Sequence, residues 1–361
     1  MKKIVAQILA AGFMASALMV GSASASLAES FPPDAAQAVN RSYIEQSGQR
    51  AIVWIEQRRG FNQAKISQEK GENLAKVYQW GLHQKVSIEQ VGDGKGFNKA
   101  VVRQDGNENH AAIGQEGKGN LAEVFQGQGS RGWGHASGNR ARVSQAGEGN
   151  TVRVEQSRFN HDAGLTQTGD YNLASLSQDN WGHKASVAQQ GNSNQAGLGQ
   201  SGRSNKASVN QYGEINRAGL EQGGWSNSAS VNQYGEANRV RIGQNGWNHI
   251  GTISQGSPGS PVTGNLASIN QLVGSGNLAL ITQRGDFNSA SITQLVGGGE
   301  AAIEQLGDFN QASILQSVPN SALIQQYGES NVANLIHKAN VPVTVKQFGH
   351  ETLTNITVIQ R

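Results

Sequence analysis

The chain has 361 residues, of which only 36% are hydrophobic, with 47 glycines, no cysteine and a formal net charge of +3. This composition excludes a large conventional apolar core, stabilisation by disulfides, and any thiol nucleophile or thiolate metal site. Removing Lys2 and Lys3 from the formal +3 leaves +1, with both signs interspersed, so there is no electrostatic case for a nucleic-acid partner.

At the N-terminus, Lys2 and Lys3 precede an apolar run over residues 4–20, followed by small residues ending in Ala23, Ser24 and Ala25. These are the three regions of a secretory signal, with cleavage expected before Ser26. Residues 26–39, SLAESFPPDAAQAV, read as a short leader, and residues 40–361 as a repeat domain.

The repeat is plainest in the middle of the chain. Asn205, Ala207, Val209 and Gln211 are followed 11 residues later by Asn216, Ala218, Leu220 and Gln222, and then by Asn227, Ala229, Val231 and Gln233. The Gln column runs from Gln46 to Gln126, continues at unbroken 11-residue steps from Gln145 to Gln255, and reaches Gln271, Gln326, His337, Gln347 and Gln360. Marked residues stand at every second position, so each unit predicts one strand with Asn, Ala, the aliphatic residue and Gln facing inward. Lys206, Ser208 and Asn210 face outward. Glycine-bearing corners of about four residues follow each strand, because glycine tolerates the positive φ of a tight turn.

Outward and corner residues repeat at 22 rather than 11: Lys184 with Lys206, Tyr212 with Tyr234, Glu214 with Glu236, Arg217 with Arg239. Phe159, Trp181, Trp225 and Trp247 share that step and predict an aromatic edge, with Arg203 as a cation–π partner. One layer is therefore strand, corner, strand, corner. The fold class predicted is all-β: a two-sheet, amyloid-like cross-β solenoid of about 14 layers, on the order of 65 Å long at about 4.8 Å per layer. Buried amides are costly unless paired, and in-register stacking places each under an identical amide. Residues 92–97, 127–138 and 256–264 lengthen three corners and are expected to be surface loops, and the repeat loosens around Pro342 and from Thr354 onward.

The paired Asn-x-Ala-x-(Ile/Val)-x-Gln-x-Gly unit behind a signal peptide resembles the curlin repeat of curli fimbria subunits over nearly all of residues 40–360. The resemblance implies a secreted structural subunit of extracellular, cell-surface curli-like amyloid fibres, used in adhesion and biofilm matrix. It implies partners too: other copies of the chain, a nucleator, an outer-membrane secretion pore, and host or abiotic surfaces. Carried over by position, the stacking core is the twelve residues from Asn205 to Gln233 named above. The family's subunits are typically shorter, and their leader is Gly-rich. The alternative reading is a secreted monomeric solenoid that acts as an adhesin.

No enzyme, cofactor or metal site is expected. Gly127, Gly129 and Gly132 match a dinucleotide fingerprint in letters only, within an inserted corner. His161 and His183 replace Asn on successive layers of one column, which reads as substitution in a polar ladder rather than a metal bridge. Glu45 and Glu56 fall on opposite sheets and form no acid–base pair. With both ends lacking a recognisable cap, open strand edges are expected at each.

Overall fold

Strict alternation of small or aliphatic residues with polar ones favours an extended chain with one face buried, and the computed structural model has that architecture throughout. It describes residues 4–11, 16–20, 39–47, 50–93, 96–127 and 137–359. Among these, every regular element is a strand. No helix among them is long and apolar enough to cross a membrane.

The chain divides into two units, residues 1–182 and 183–361. Each is a parallel β-solenoid in which successive strands alternate between two facing sheets. In the first unit, Val39–Gln46, Gln63–Glu69 and Lys85–Gly92 neighbour one another in one sheet, and Ile52–Arg58, Glu72–Leu82 and Phe97–Asn107 in the other. The second unit runs in the same way from Lys184–Gln190 and Gln195–Arg203 to Val343–His350 and Leu353–Ile359. About 14 turns of 22 residues result.

Register is held by the interior, not by chain length. Where the repeat is uninterrupted, Val209 pairs with Val231 and Gln211 with Gln233. Across the inserted corners the step widens, so that Gln79 lies beside Gln104 and Gln115 beside Gln145, and near the C-terminus it shortens to put Ile303 beside Ile324. The Gln column stays aligned whatever the number of residues between its members. A one-residue slip would turn the whole inward set to solvent.

Three expectations need amendment. The 256–264 corner is not only a surface loop: Val262–Thr263 pairs with Gly235 and Glu236, and Val262 is buried. The N-terminal edge is occupied in the full chain, because Ile4–Ala11 pairs antiparallel with Val39–Gln46 and Ser16–Val20 antiparallel with Ile52–Arg58. A free strand edge offers unpaired N–H and C=O groups to any extended segment, and the apolar N-terminal run supplies one. The third concerns glycine: most regular corners also carry a non-glycine residue in the left-handed region, such as Ile215 at φ 57° just after Gly213 at φ 111°. The Ile215 N–H bonded to the Asn192 carbonyl at 3.0 Å holds it there. The expected cleavage site, most of the leader, residues 128–136 and Gln360 lie outside the described residues.

Candidate functional site: the buried amide columns

The inward face of each strand carries three kinds of residue with separate tasks. Ala207, Val209, Ala218, Leu220, Ala229 and Val231 fill the gap between the sheets, and Asn205, Gln211, Asn216, Gln222, Asn227 and Gln233 are buried beside them. So small an apolar layer cannot carry six polar side chains unless every amide is satisfied.

The Gln columns meet that demand amide to amide. Gln211 Nε2 donates to Gln233 Oε1 at 2.9 Å, and Gln200, Gln222 and Gln244 form the corresponding chain in the facing sheet at 2.8 Å per step. The second N–H crosses the gap: Gln211 donates to the Gln195 carbonyl at 3.0 Å and Gln222 to the Lys206 carbonyl at 2.9 Å. Each Gln thus ties its layer to the next layer and to the opposite sheet. The ladder also has a direction within each unit, since Nε2 of one layer donates to Oε1 of the next C-terminal layer from Gln46 to Gln167 in the first and from Gln189 to Gln347 in the second.

The Asn columns work differently from the expectation of like stacking on like. Asn205 Oδ1 accepts the backbone N–H of Asn227 at 2.9 Å, while its Nδ2 donates to the carbonyls of Ser201 and Gly224. One methylene shorter than Gln and placed at the corner, Asn caps backbone groups that the turn takes out of the sheet ladders. Direct amide contacts occur at some layers, such as Asn172 Nδ2 to Asn150 Oδ1 at 3.1 Å.

Histidine reproduces this pattern with a ring. His161 Nε2–H donates to the Ser157 carbonyl at 2.7 Å, four residues back, as an Asn Nδ2 does. His183 Nδ1 accepts the Asn205 backbone N–H at 3.1 Å, and His249 Nδ1 accepts that of Asn277 at 3.3 Å. Both acceptors require a neutral ring. Burial holds the His249 pKa below the ordinary imidazole value against the opposing pull of the Asn245 backbone, and its Nε2 makes no hydrogen bond of good geometry. At Gln84, a longer side chain in an Asn position leaves Oε1 unpartnered. Among the described residues no three His, Asp or Glu side chains converge as a metal site.

Glycine completes the columns by its absence of a side chain. A Cβ on Gly213 would lie 2.1 Å from the Gly235 carbonyl oxygen, and a Cβ on Gly224 would meet Gly246 in the same way. Only glycine lets corners stack at one layer per turn. Along the edges, Tyr212 stacks on Tyr234 at 4.8 Å, Phe159 on Trp181 at 4.4 Å and Trp225 on Trp247 at 5.5 Å. Arg203 is in register with Trp225, but the cation–π contacts form instead from Arg58 and Arg103 to Trp80 and from Arg153 to Phe125.

Four segments, residues 98–127, 147–179, 184–213 and 274–299, match the Curlin associated repeat. Each of these segments carries a curlin repeat. A comparison with curated proteins gives no match. The curlin repeat family is structural rather than enzymatic. Within the curlin unit, periodicity was enough to find the inward columns. The cross-gap Gln bonds, the backbone capping by Asn and the left-handed residue before most of the Asn were not legible, since that position holds Ser204, Ile215, Ser226 and Ala237 with no common chemistry.

Proposed function

We propose that this curlin-repeat protein is the subunit of an extracellular, curli-like amyloid fibre that grows by end-to-end stacking of solenoids and serves cell adhesion and biofilm matrix. The twelve residues from Asn205 to Gln233 named above are representative of its stacking core. The observation that carries the proposal is the uniform direction of the Gln ladder. A column that always donates toward the C-terminal side leaves Gln acceptors at its N-terminal end, while at the other end Gln347 Nε2 turns to the Val332 and Thr352 carbonyls and Thr354 Oγ1 in place of a next amide, so a copy placed head to tail can take over that donor. In the facing sheet the last layer sets Val358 opposite His337, so there the junction rests on the backbone ladder that joins every internal layer.

Secretion follows the signal reading of residues 1–25, with a nucleator, an outer-membrane pore and recipient surfaces as the expected partners. Removal of the N-terminal run is a condition for growth at that end, because Ile4–Ala11 and Ser16–Val20 pair with the first two repeat strands. The same pairing favours a second reading for the uncleaved chain, that of a monomeric solenoid. Purified chain lacking residues 1–25 is expected to form dye-binding fibres with reflections near 4.7–4.8 Å and about 10 Å. A preparation that stays monomeric and dye-negative would favour the monomeric adhesin instead.

A further inference from the structure

The outward face of the first unit's sheet that begins with Val39–Gln46 carries its charges in an unusual order. Arg41, Lys65, Lys85, Arg140 and Arg142 lie toward one edge, and Glu45, Glu69, Glu89 and Glu116 toward the other. In each of the first three strands the cation precedes the carboxylate by four residues. That spacing is about 13 Å along a strand, beyond the screening length of about 8 Å at physiological salt. Lys65, Lys85, Arg140, Glu69, Glu89 and Glu116 have no ion pair among the described residues. The basic side holds a shallow open groove of about 510 Å³ over Ser87 and Ala112. Crowding by Lys85 and Arg140 adds to burial in lowering the pKa of His110 in the same column.

The facing sheet of the same unit treats its charges in the opposite way. There Arg58 pairs with Glu56 at 2.8 Å, Arg153 with Glu123 at 3.6 Å and Arg158 with Asp179 at 3.8 Å. Among the described residues the striped face forms ion pairs toward its C-terminal layers, Arg142 with Asp162 at 3.4 Å and Lys118 with Glu148 at 2.9 Å, and before them keeps two parallel stripes of opposite sign.

We propose that the striped face is a lateral docking surface for a second copy of the chain, aligned parallel to the first, with the basic stripe of each copy against the acidic stripe of the other. A two-fold axis parallel to the stacking direction brings unlike stripes together and keeps the layers level. A two-fold axis running along the strands sets like on like, so antiparallel pairing is disfavoured. A second copy shares the layer repeat of both stripes, whereas an acidic polymer matches only one and meets repulsion from the other. Small residues between the stripes, Ser67, Ser87, Ala112 and Gly114, let two faces approach closely. The inference extends the fibre reading sideways, and its pairing step does not require end-to-end growth.

The test is self-association of the full chain by sedimentation velocity at low and high salt. The parent is expected to pair at low salt and separate at high salt. A variant with Glu69→Lys, Glu89→Lys and Glu116→Lys, or one with Lys65→Glu, Lys85→Glu and Arg140→Glu, is expected to self-pair at least about tenfold more weakly. Mixing the two variants restores pairing, and combining all six substitutions in one chain restores self-pairing. All six residues are outward, so circular dichroism should show the solenoid retained. Should one variant misfold, the six-fold reversal still decides the matter. Salt-insensitive pairing, unchanged self-pairing of either variant, or a mixture no stickier than its components overturns the proposal. So does a soluble polyuronate that binds the basic face while the parent copies stay apart. End-to-end growth is told apart by its indifference to these six residues.

Discussion

Within one strand, Lys206–Glu214, the inward residues Ala207, Val209 and Gln211 are the same type as their neighbours in the adjoining layer, and they are buried. The outward residues Lys206, Ser208 and Asn210 alternate with them in the same backbone and are not. Elsewhere the outward positions hold arginine, glutamate, leucine, glycine or serine with little regularity, while the inward ones barely change. The difference teaches that the repeat is a rule about the gap between sheets. The surface is left free to be specialised, as the segregated charges of the first unit show.

The largest effect should come from breaking that rule at its centre. Val209→Asp puts an unpaired carboxylate into the gap and is expected to cost about 3–5 kcal/mol, whereas Ser208→Asp should change stability by less than about 0.5 kcal/mol. Chemical denaturation of the monomer measures both, and equal costs would mean that the two faces are wrongly assigned. A second pair of substitutions compares glycines within about one turn of each other. Gly213→Ala collides with the next corner and is expected to cost about 2 kcal/mol or more. Gly219→Ala, on the outward face with nothing within 4 Å, should be neutral or stabilise by about 0.5 kcal/mol.

Histidine offers the smallest and most selective test. The His249 pKa is lowered by burial in the folded chain, so the unfolded chain binds its proton first as pH falls. The contribution of the neutral ring is therefore complete above about pH 7 and is lost as pH drops below about 6.5. Thermal melts of His249→Asn and parent chain should diverge over that acidic window, with the variant less sensitive to pH. Parallel melting curves at every pH would show that the ring does not titrate on unfolding.

How much of this could be read beforehand follows from the same contrast. The two sheets, the 22-residue turn and the inward set were legible because interior chemistry repeats at a fixed spacing, and Gln211 cannot be buried without a partner at that spacing. The way the partner is reached was not legible. Whether an amide meets an amide, as Gln211 meets Gln233, or a backbone N–H, as Asn205 meets Asn227, depends on one methylene and on the local turn. The occupied N-terminal edge was missed because an apolar run behind two lysines carries the pattern of a targeting segment, and that pattern says nothing about pairing. Ile215 was missed because its left-handed backbone is imposed by the corner against the preference of a β-branched side chain.

The claim that molecules join as layers join is tested most directly by seeded elongation. Preformed fibres of the chain lacking residues 1–25 would be offered the same chain with a compact helical domain fused ahead of Val39, after Arg361, or at both places. The account predicts that either fusion slows elongation at one end and that the double fusion stops it. Elongation of the doubly fused chain at the unblocked rate would contradict end-to-end stacking.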